Sequence, residues 1–451
     1  MKYSSQHLRP FILFAGIALS PTAFAVALAP ATPVGAPIVV GSLRNVDSWG
    51  APSIASDAAG NFVVTWMDLS ESLVARRYHA DGTPVGDAFT VRASPPNDDG
   101  HYLDYSPHVA MNASGGFVIA WYERDPGLHI SLIKIPIAGP VFWYNSSRVE
   151  LHVQSYGSNG QSLSGDIVTA RFRTTDAIAA TPSVAIDAAG DFALSWVEDL
   201  STIEVRIGEE PWYTFQSIVH ANSYSPSGKP LRRLPMTVDT RSGAGLGTYL
   251  GTVGMLIGGD GIAMDAAGNF SVVWETFSFG DKPATIYVRS YSLSGRPLGS
   301  VTQANIGVVS LSFTPLISMN ESGRYAVAWG CVVYSTCLRA FAPGGTPATG
   351  EINATDDVSI IYYLLPAIAI GQDGSMVMAE SQPNGQTLMR LFSADGAPKS
   401  ASTPLPIADM TRTDPVSVTL DPTGAARVAY AGTYDPALST QPLLVQQYVH
   451  P

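Results

Sequence analysis

Tyr102, Trp143, Tyr144, Trp212, Tyr213 and Phe215 stand in irregular stretches of this chain, interleaved with Asp104, Glu123 and further acids at Asp98, Asp99, Asp125, Glu209 and Glu210. Flat aromatic faces beside carboxylates can stack on sugar rings, or grip a peptide segment. A second use is hydrolytic. Two carboxylates drawn from Asp98, Asp104, Glu123 and Glu209 could serve as acid and base of a glycoside hydrolase or lyase. Such pairs work at roughly 6.5–9.5 Å for inversion and about 5–5.5 Å for retention, and chain spacing does not supply those distances. The competing role is structural: aromatics on an insertion can simply pack that insertion into a small satellite core.

Of the eight histidines, His101, His108, His129 and His152 fall in the same region. With Asp98, Asp99 or Asp104 they include the ligand types of a transition-metal site. No tight spacing such as H-E-x-x-H joins them, so they read as scattered surface residues and no metal is expected. Asp98-Asp99-Gly100 and Asp356-Asp357 offer calcium at most a weak hold, and neither follows the EF-hand pattern. There is no G-x-S-x-G elbow and no G-x-x-x-x-G-K-[ST] phosphate loop. The stretch from Gly243 to Gly261 is glycine-rich without lysine and reads as a pliant lid or linker. No cofactor is expected.

These stretches interrupt a repeat. The phrase Pro52-Ser-Ile-Ala-Ser-Asp57-Ala-Ala-Gly60-Asn-Phe-Val-Val-Thr-Trp66 returns around Gly115, Gly190, Gly268 and Gly323, and in worn form around Gly374 and Gly424. Its first segment alternates like a strand, and Asp57, Asp187 and Asp265 can accept backbone N–H groups inside the turn that follows. Gly60 then supplies a positive φ that a Cβ resists. Phe62, Val64 and Trp66 share one face of the next strand, and the tryptophan is expected to pack between blades. A second phrase, from Val74 to Gly86 and on to Phe89, adds two more strands. Four antiparallel strands, called a to d, repeated seven times make a seven-bladed β-propeller, an all-β fold.

The chain ends fit a closed ring. The last unit stops after strand c, at Leu444–Tyr448, while Thr32-Pro-Val-Gly35-Ala-Pro-Ile-Val-Val40 matches Thr83–Val91 near the other end. The N-terminal segment should therefore supply the missing strand d and remove the exposed edges. The interval from Trp329 to Phe341 equals that from Trp66 to Tyr78, so Cys331 and Cys337 face each other across a b–c hairpin. A disulfide is expected there, with two free buried thiols as the alternative.

Lys2 and Arg9 give a positive n-region before an apolar stretch, Pro10–Ser20, that precedes Ala23-Phe24-Ala25, the pattern of a cleavable secretory signal over residues 1–25. The expectation is one propeller domain over 26–451, secreted or periplasmic, soluble and monomeric. Without residues 1–25 the chain would hold 23 basic and 37 acidic residues, a net charge of −14. A surface of that sign repels phosphate backbones and anionic lipid, which argues against a nucleic-acid partner.

The phrase Asp-Ala-Ala-Gly-Asn-Phe-x-Val-x-Trp, followed by Arg-x-Tyr-x-x-x-Gly-x-Pro-x-Gly, resembles a repeat of large bacterial exported proteins loosely labelled hemolysin-type or calcium-binding. The resemblance covers nearly all of residues 26–451. It implies a propeller-like repeat and an extracytoplasmic setting, and it carries over no catalytic residue. The Gly-Gly-x-Gly-x-Asp nonapeptides behind the calcium label are absent. The turn also looks like the Asp-box of sialidases, which is itself structural.

Turns a–b and c–d fall at one end of such a ring and loops b–c and d–a at the other. The first set is short and regular, whereas insertions at 122–152 and 197–218 lengthen the second. Irregular loops on a rigid scaffold are where binding tends to reside. The leading expectation is a non-enzymatic protein that recognises a glycan or protein over blades 2–4. A carbohydrate-active enzyme on the same face is the alternative.

Overall fold

A computed structural model of the chain describes residues 28–44, 51–94, 102–103, 107–125, 141–143, 147–174, 182–205, 212–246, 260–276, 284–309, 315–331, 335–354, 366–381, 386–406 and 416–449. The expected secretory signal lies outside them. The strands form seven antiparallel sheets, each with strands a to d in order, and two of the sheets carry one extra short strand. Blade 1 shows the plan: Ser53–Ser56, Phe62–Met67, Leu73–Tyr78 and Phe89–Arg92. The a strands touch in sequence from blade 1 to blade 7, and the a strand of blade 7 (Ser417–Leu420) touches that of blade 1. The architecture is a closed seven-bladed β-propeller.

Local chemistry builds each blade. Asp57 Oδ1 accepts the amides of Ala59 and Asn61 at 2.9 and 2.8 Å, which bends the chain between strands a and b. Asp187 and Asp265 do the same in blades 3 and 4, and Asn112 and Asp421 in blades 2 and 7. Gly60 follows at φ 80°, left-handed backbone that explains the glycine at this point in every copy. All six residues of Phe62–Met67 are buried, because strand b has a neighbouring blade on each side.

The core is accordingly a set of seven apolar clusters, one in each seam between blades. Val40, Leu43, Trp66 and Val445 fill the seam of blades 7 and 1. Val63, Leu73, Phe117 and Trp121 fill the next. Trp196, Trp274 and Trp329 anchor the following three seams as expected of packing residues. The b-strand aromatic also stacks on the c-strand aromatic of its own hairpin, as in Phe62 on Tyr78 with centroids 4.8 Å apart.

Closure follows the expected route. Thr32–Arg44 lies antiparallel along Thr440–Val449, with Thr32 opposite Val449 and Arg44 opposite Thr440. Arg427 of blade 7 reinforces the joint. Its guanidinium lies over Phe62 and donates to the Ala80 carbonyl of blade 1 at 3.0 Å. Cys331 and Cys337 form the cross-hairpin disulfide, with Cα atoms 5.6 Å apart, which removes the free-thiol alternative.

The expected insertions are corrected in kind. In blade 3 the segment read as a loop at 197–218 is mostly a prolongation of the hairpin: Phe192–Val205 pairs with Trp212–Tyr224 as far as Glu204 opposite Trp212. In blade 2, strand b runs on through Phe117–Asp125 and strand c already starts in Ser147–Tyr156, so the 122–152 segment is largely strand at both ends. Backbone pairing continues where the repeat phrase ends, and the phrase therefore marks too short a strand.

Candidate functional site

The prolonged hairpin of blade 3 gains a strand on each side. Val141–Trp143, from the blade 2 insertion, pairs with the tip of strand b, placing Trp143 opposite Ile203 and Phe142 opposite Glu204. On the other side strand d, Met236–Leu246, follows strand c to its tip, with Tyr213 opposite Gly245 and Phe215 opposite Gly243. One register row thus reads Trp143, Ile203, Tyr213, Gly245, and the next Phe142, Glu204, Trp212, Leu246. Residues 243–246, read from sequence as part of a lid or linker, are strand.

The remaining candidates divide between a second element and residues outside those described. Tyr102–Leu103 pairs with the prolonged strand b of blade 2, Tyr102 opposite Arg124 and Leu103 opposite Glu123. Tyr144, Asp104, Asp98, Glu209, His101 and His129 lie outside the described residues. So do Asp99 and Glu210. The structure therefore gathers Trp143, Trp212, Tyr213 and Phe215 at the tip of blade 3, and holds Tyr102 and Glu123 on blade 2.

Glu123 heads a polar cluster that sequence reasoning missed. Strand pairing sets Trp121 opposite His152 and Glu123 opposite Glu150, so all four share the face of blade 2 that meets blade 1. Arg92 of blade 1 reaches across the seam, its Nε 2.7 Å from Glu123 Oε1 and an Nη donating to Glu123 Oε2 at 3.2 Å. Arg171 holds Glu150 Oε1 at 2.6 Å. The His152 ring stacks on Trp121, and its Nδ1 lies 2.7 Å from Asp166 Oδ1. His152 is only 4% exposed, so it is no surface histidine. The spacing Glu150-x-His152 on one strand beside Trp121-x-Glu123 on the next was the available signal. Blade 3 repeats a simpler form, with His220 stacked on Trp196 and its Nε2 3.2 Å from Glu198 Oε2.

His108 is also not a free surface residue. It occupies the position of Ser53 and Ser183 in the repeat, where the serine Oγ accepts an amide from the next blade's a strand. His108 Nδ1 takes that part and accepts the Val184 N–H at 3.2 Å. Burial pushes its pKa down to about 4, so the ring stays neutral, as an acceptor nitrogen requires. Glu275, beside the seam tryptophan Trp274 of blade 4, is the reverse case. Burial pushes its carboxyl up to about 8 against the opposing pull of Arg241.

No protein-family model matches the chain, and no curated protein matches it. Among solved structures it is similar to a protein of unknown function from Dyadobacter fermentans, at 12% identity over 94% of this chain and 100% of that one, with a TM-score of 0.46. The NanB sialidase of Streptococcus pneumoniae aligns at 10% identity over 93% of this chain and 70% of the other, with a TM-score of 0.41. A lectin of Aleuria aurantia, in complex with Fucα1-6GlcNAc, aligns at 11% identity over 80% and 98%, with a TM-score of 0.42. With TM-scores below 0.5, none of these likenesses carries an argument about what this chain does.

Proposed function

We propose that the chain is an exported, monomeric binding propeller that recognises a glycan or a protein segment through the strand-built tip of blade 3. The observation that carries this reading is the register that sets Trp143 and Tyr213 in one row, with Phe215 two residues along the strand from Tyr213, on four paired strands. Aromatics on paired strands keep their spacing, which lowers the ordering cost of stacking on a ligand.

The hydrolytic alternative has less behind it. Glu123 is buried and held by Arg92, and its proposed partners Asp98, Asp104 and Glu209 lie outside the described residues. The test is a glycan array with a polysaccharide pull-down, run on the chain without residues 1–25 and on the Trp143→Ala/Tyr213→Ala double variant. Losing two stacking residues should weaken binding at least tenfold. Undiminished binding by a folded double variant would reject the tip as the ligand surface.

A further inference from the structure

The geometry points to a docking surface for an anionic lipid bilayer on the c–d turns of blades 3 and 4, at the end of the ring opposite the b–c hairpins. The position that carries it is a repeated one. The residue closing each c–d turn donates its amide back to strand c: Leu163 to Ser155, Leu231 to Ser223 and Leu298 to Ser290, at 2.9, 2.8 and 2.9 Å. These three leucines are 52%, 45% and 40% exposed. Leu234 and Val301, three residues further on in blades 3 and 4, are 71% and 44% exposed. Blades 5 and 6 put Ala348 and Lys399 at the same point. One exposed leucine is ordinary, whereas aliphatic residues at one register point of three successive blades make a patch.

The turns that present them touch one another. Ser223 Oγ donates to the Leu293 carbonyl of blade 4 at 2.7 Å, and Arg232 Nη1 donates to the Ser294 carbonyl at 2.7 Å. On the other side Gly228 leaves no room for a Cβ beside Ile167 and Ser164 of blade 2. The array is thus held before any partner arrives, which lowers the cost of docking.

Charge selects the partner. Lys229 and Arg296 stand two residues before Leu231 and Leu298, Arg233 lies between Leu231 and Leu234, and all three cations are exposed. Residues 225–238 and 292–303 contain no acid, in a chain that has 37. The same turns of blades 1 and 6 carry Asp81 and Asp395, and Asp166 of the blade 2 turn is taken up by His152 and Arg92. The net negative charge of the chain repels anionic lipid at a distance. At contact, a Debye length of about 8 Å leaves the nearest charges to decide. Aliphatic side chains flanked by Lys and Arg suit the boundary of a bilayer, where the apolar ends enter and the cations stay with the phosphates. An acidic protein would meet the same cations, but neither turn offers it an aromatic anchor. Docked in this way, the ring holds the tip of blade 3 away from the lipid.

Co-sedimentation with vesicles tests the surface. It uses the chain without residues 1–25, because the apolar stretch there would itself enter lipid, and the closed ring is complete from Thr32 to Val449. Vesicles of equal parts phosphatidylglycerol and phosphatidylcholine should bind the chain, and phosphatidylcholine alone at least tenfold more weakly. Leu231→Ser/Leu234→Ser should weaken binding at least tenfold, and Lys229→Gln/Arg233→Gln about fivefold for each charge removed. These side chains are exposed, so both variants should melt with the parent. The assignment is overturned if the mixed vesicles do not bind, or if either variant binds them as the parent does. Soluble polyglutamate that binds as tightly as the vesicles would also overturn it, in favour of an acidic protein.

Discussion

Glu275 and His108 carry opposite linkages between folding and pH. The Glu275 carboxyl, ordinarily near 4.5, holds its proton up to about pH 8 in the folded chain. Between those values the unfolded chain has released this proton and the folded chain has not, so stability falls as pH rises. His108, ordinarily near 6.5, stays neutral down to about pH 4. Its contribution is complete above pH 6.5 and is lost as pH falls toward 4. The two slopes oppose one another below pH 6.5, and Glu275 alone acts from there to about 8. Glu275→Gln should therefore melt near the parent at pH 5 and above it at pH 8, with the gap widening in between. A difference in melting temperature that stays flat from pH 5 to 8 would show that Glu275 is not the buried acid described. Neither residue was legible as such beforehand. His108 was legible as a histidine, but its part as a stand-in for the seam serine emerges only when Val184 is seen to donate to it.

Across the b–c hairpins one diagonal recurs, from the residue two past the tryptophan to the residue opposite the tryptophan. It is Glu123 with His152 in blade 2, Glu198 with His220 in blade 3 and Cys331 with Cys337 in blade 5. The same place holds a histidine beside a carboxylate in blades 2 and 3 and a covalent bond in blade 5. Closing so short a loop should contribute about 2 kcal/mol. Cys331→Ser/Cys337→Ser is accordingly expected to lower the urea midpoint by that equivalent without changing the slope of the transition. An unchanged midpoint would mean the hairpin is held fully by its buried strands. The cysteine register was readable in advance because both residues sit inside the repeat. The prolonged hairpin of blade 3 was not. Its tip, Leu200 to Val205, carries none of the repeat's markers, and its partner Val141–Trp143 comes from another blade's insertion. Pairing between segments so far apart in sequence leaves no local trace, so the aromatic candidates could be named but not placed.

At the scale of the whole ring, the seven seams are equivalent in packing and each is crossed by a d–a link, whereas the c–d turn is missing from blade 7, whose strands c and d come from opposite ends of the described chain. That division was visible in the match of residues 32–40 to residues 83–91, since a repeat interrupted by the chain ends must resume at the other end. Val40 and Leu43 of the N-terminal strand also fill the seam with blade 1. Closure thus fixes which loops share an end and holds the blades that support the tip of blade 3. The most direct test removes residues up to 44 and supplies residues 28–44 as a separate peptide. Truncation should expose the edge of Thr440–Val449, lower the melting temperature and promote association, and the peptide should restore a monomeric, stable ring where a scrambled peptide does not. A truncated chain as stable as the parent, and no more prone to associate, would contradict the account.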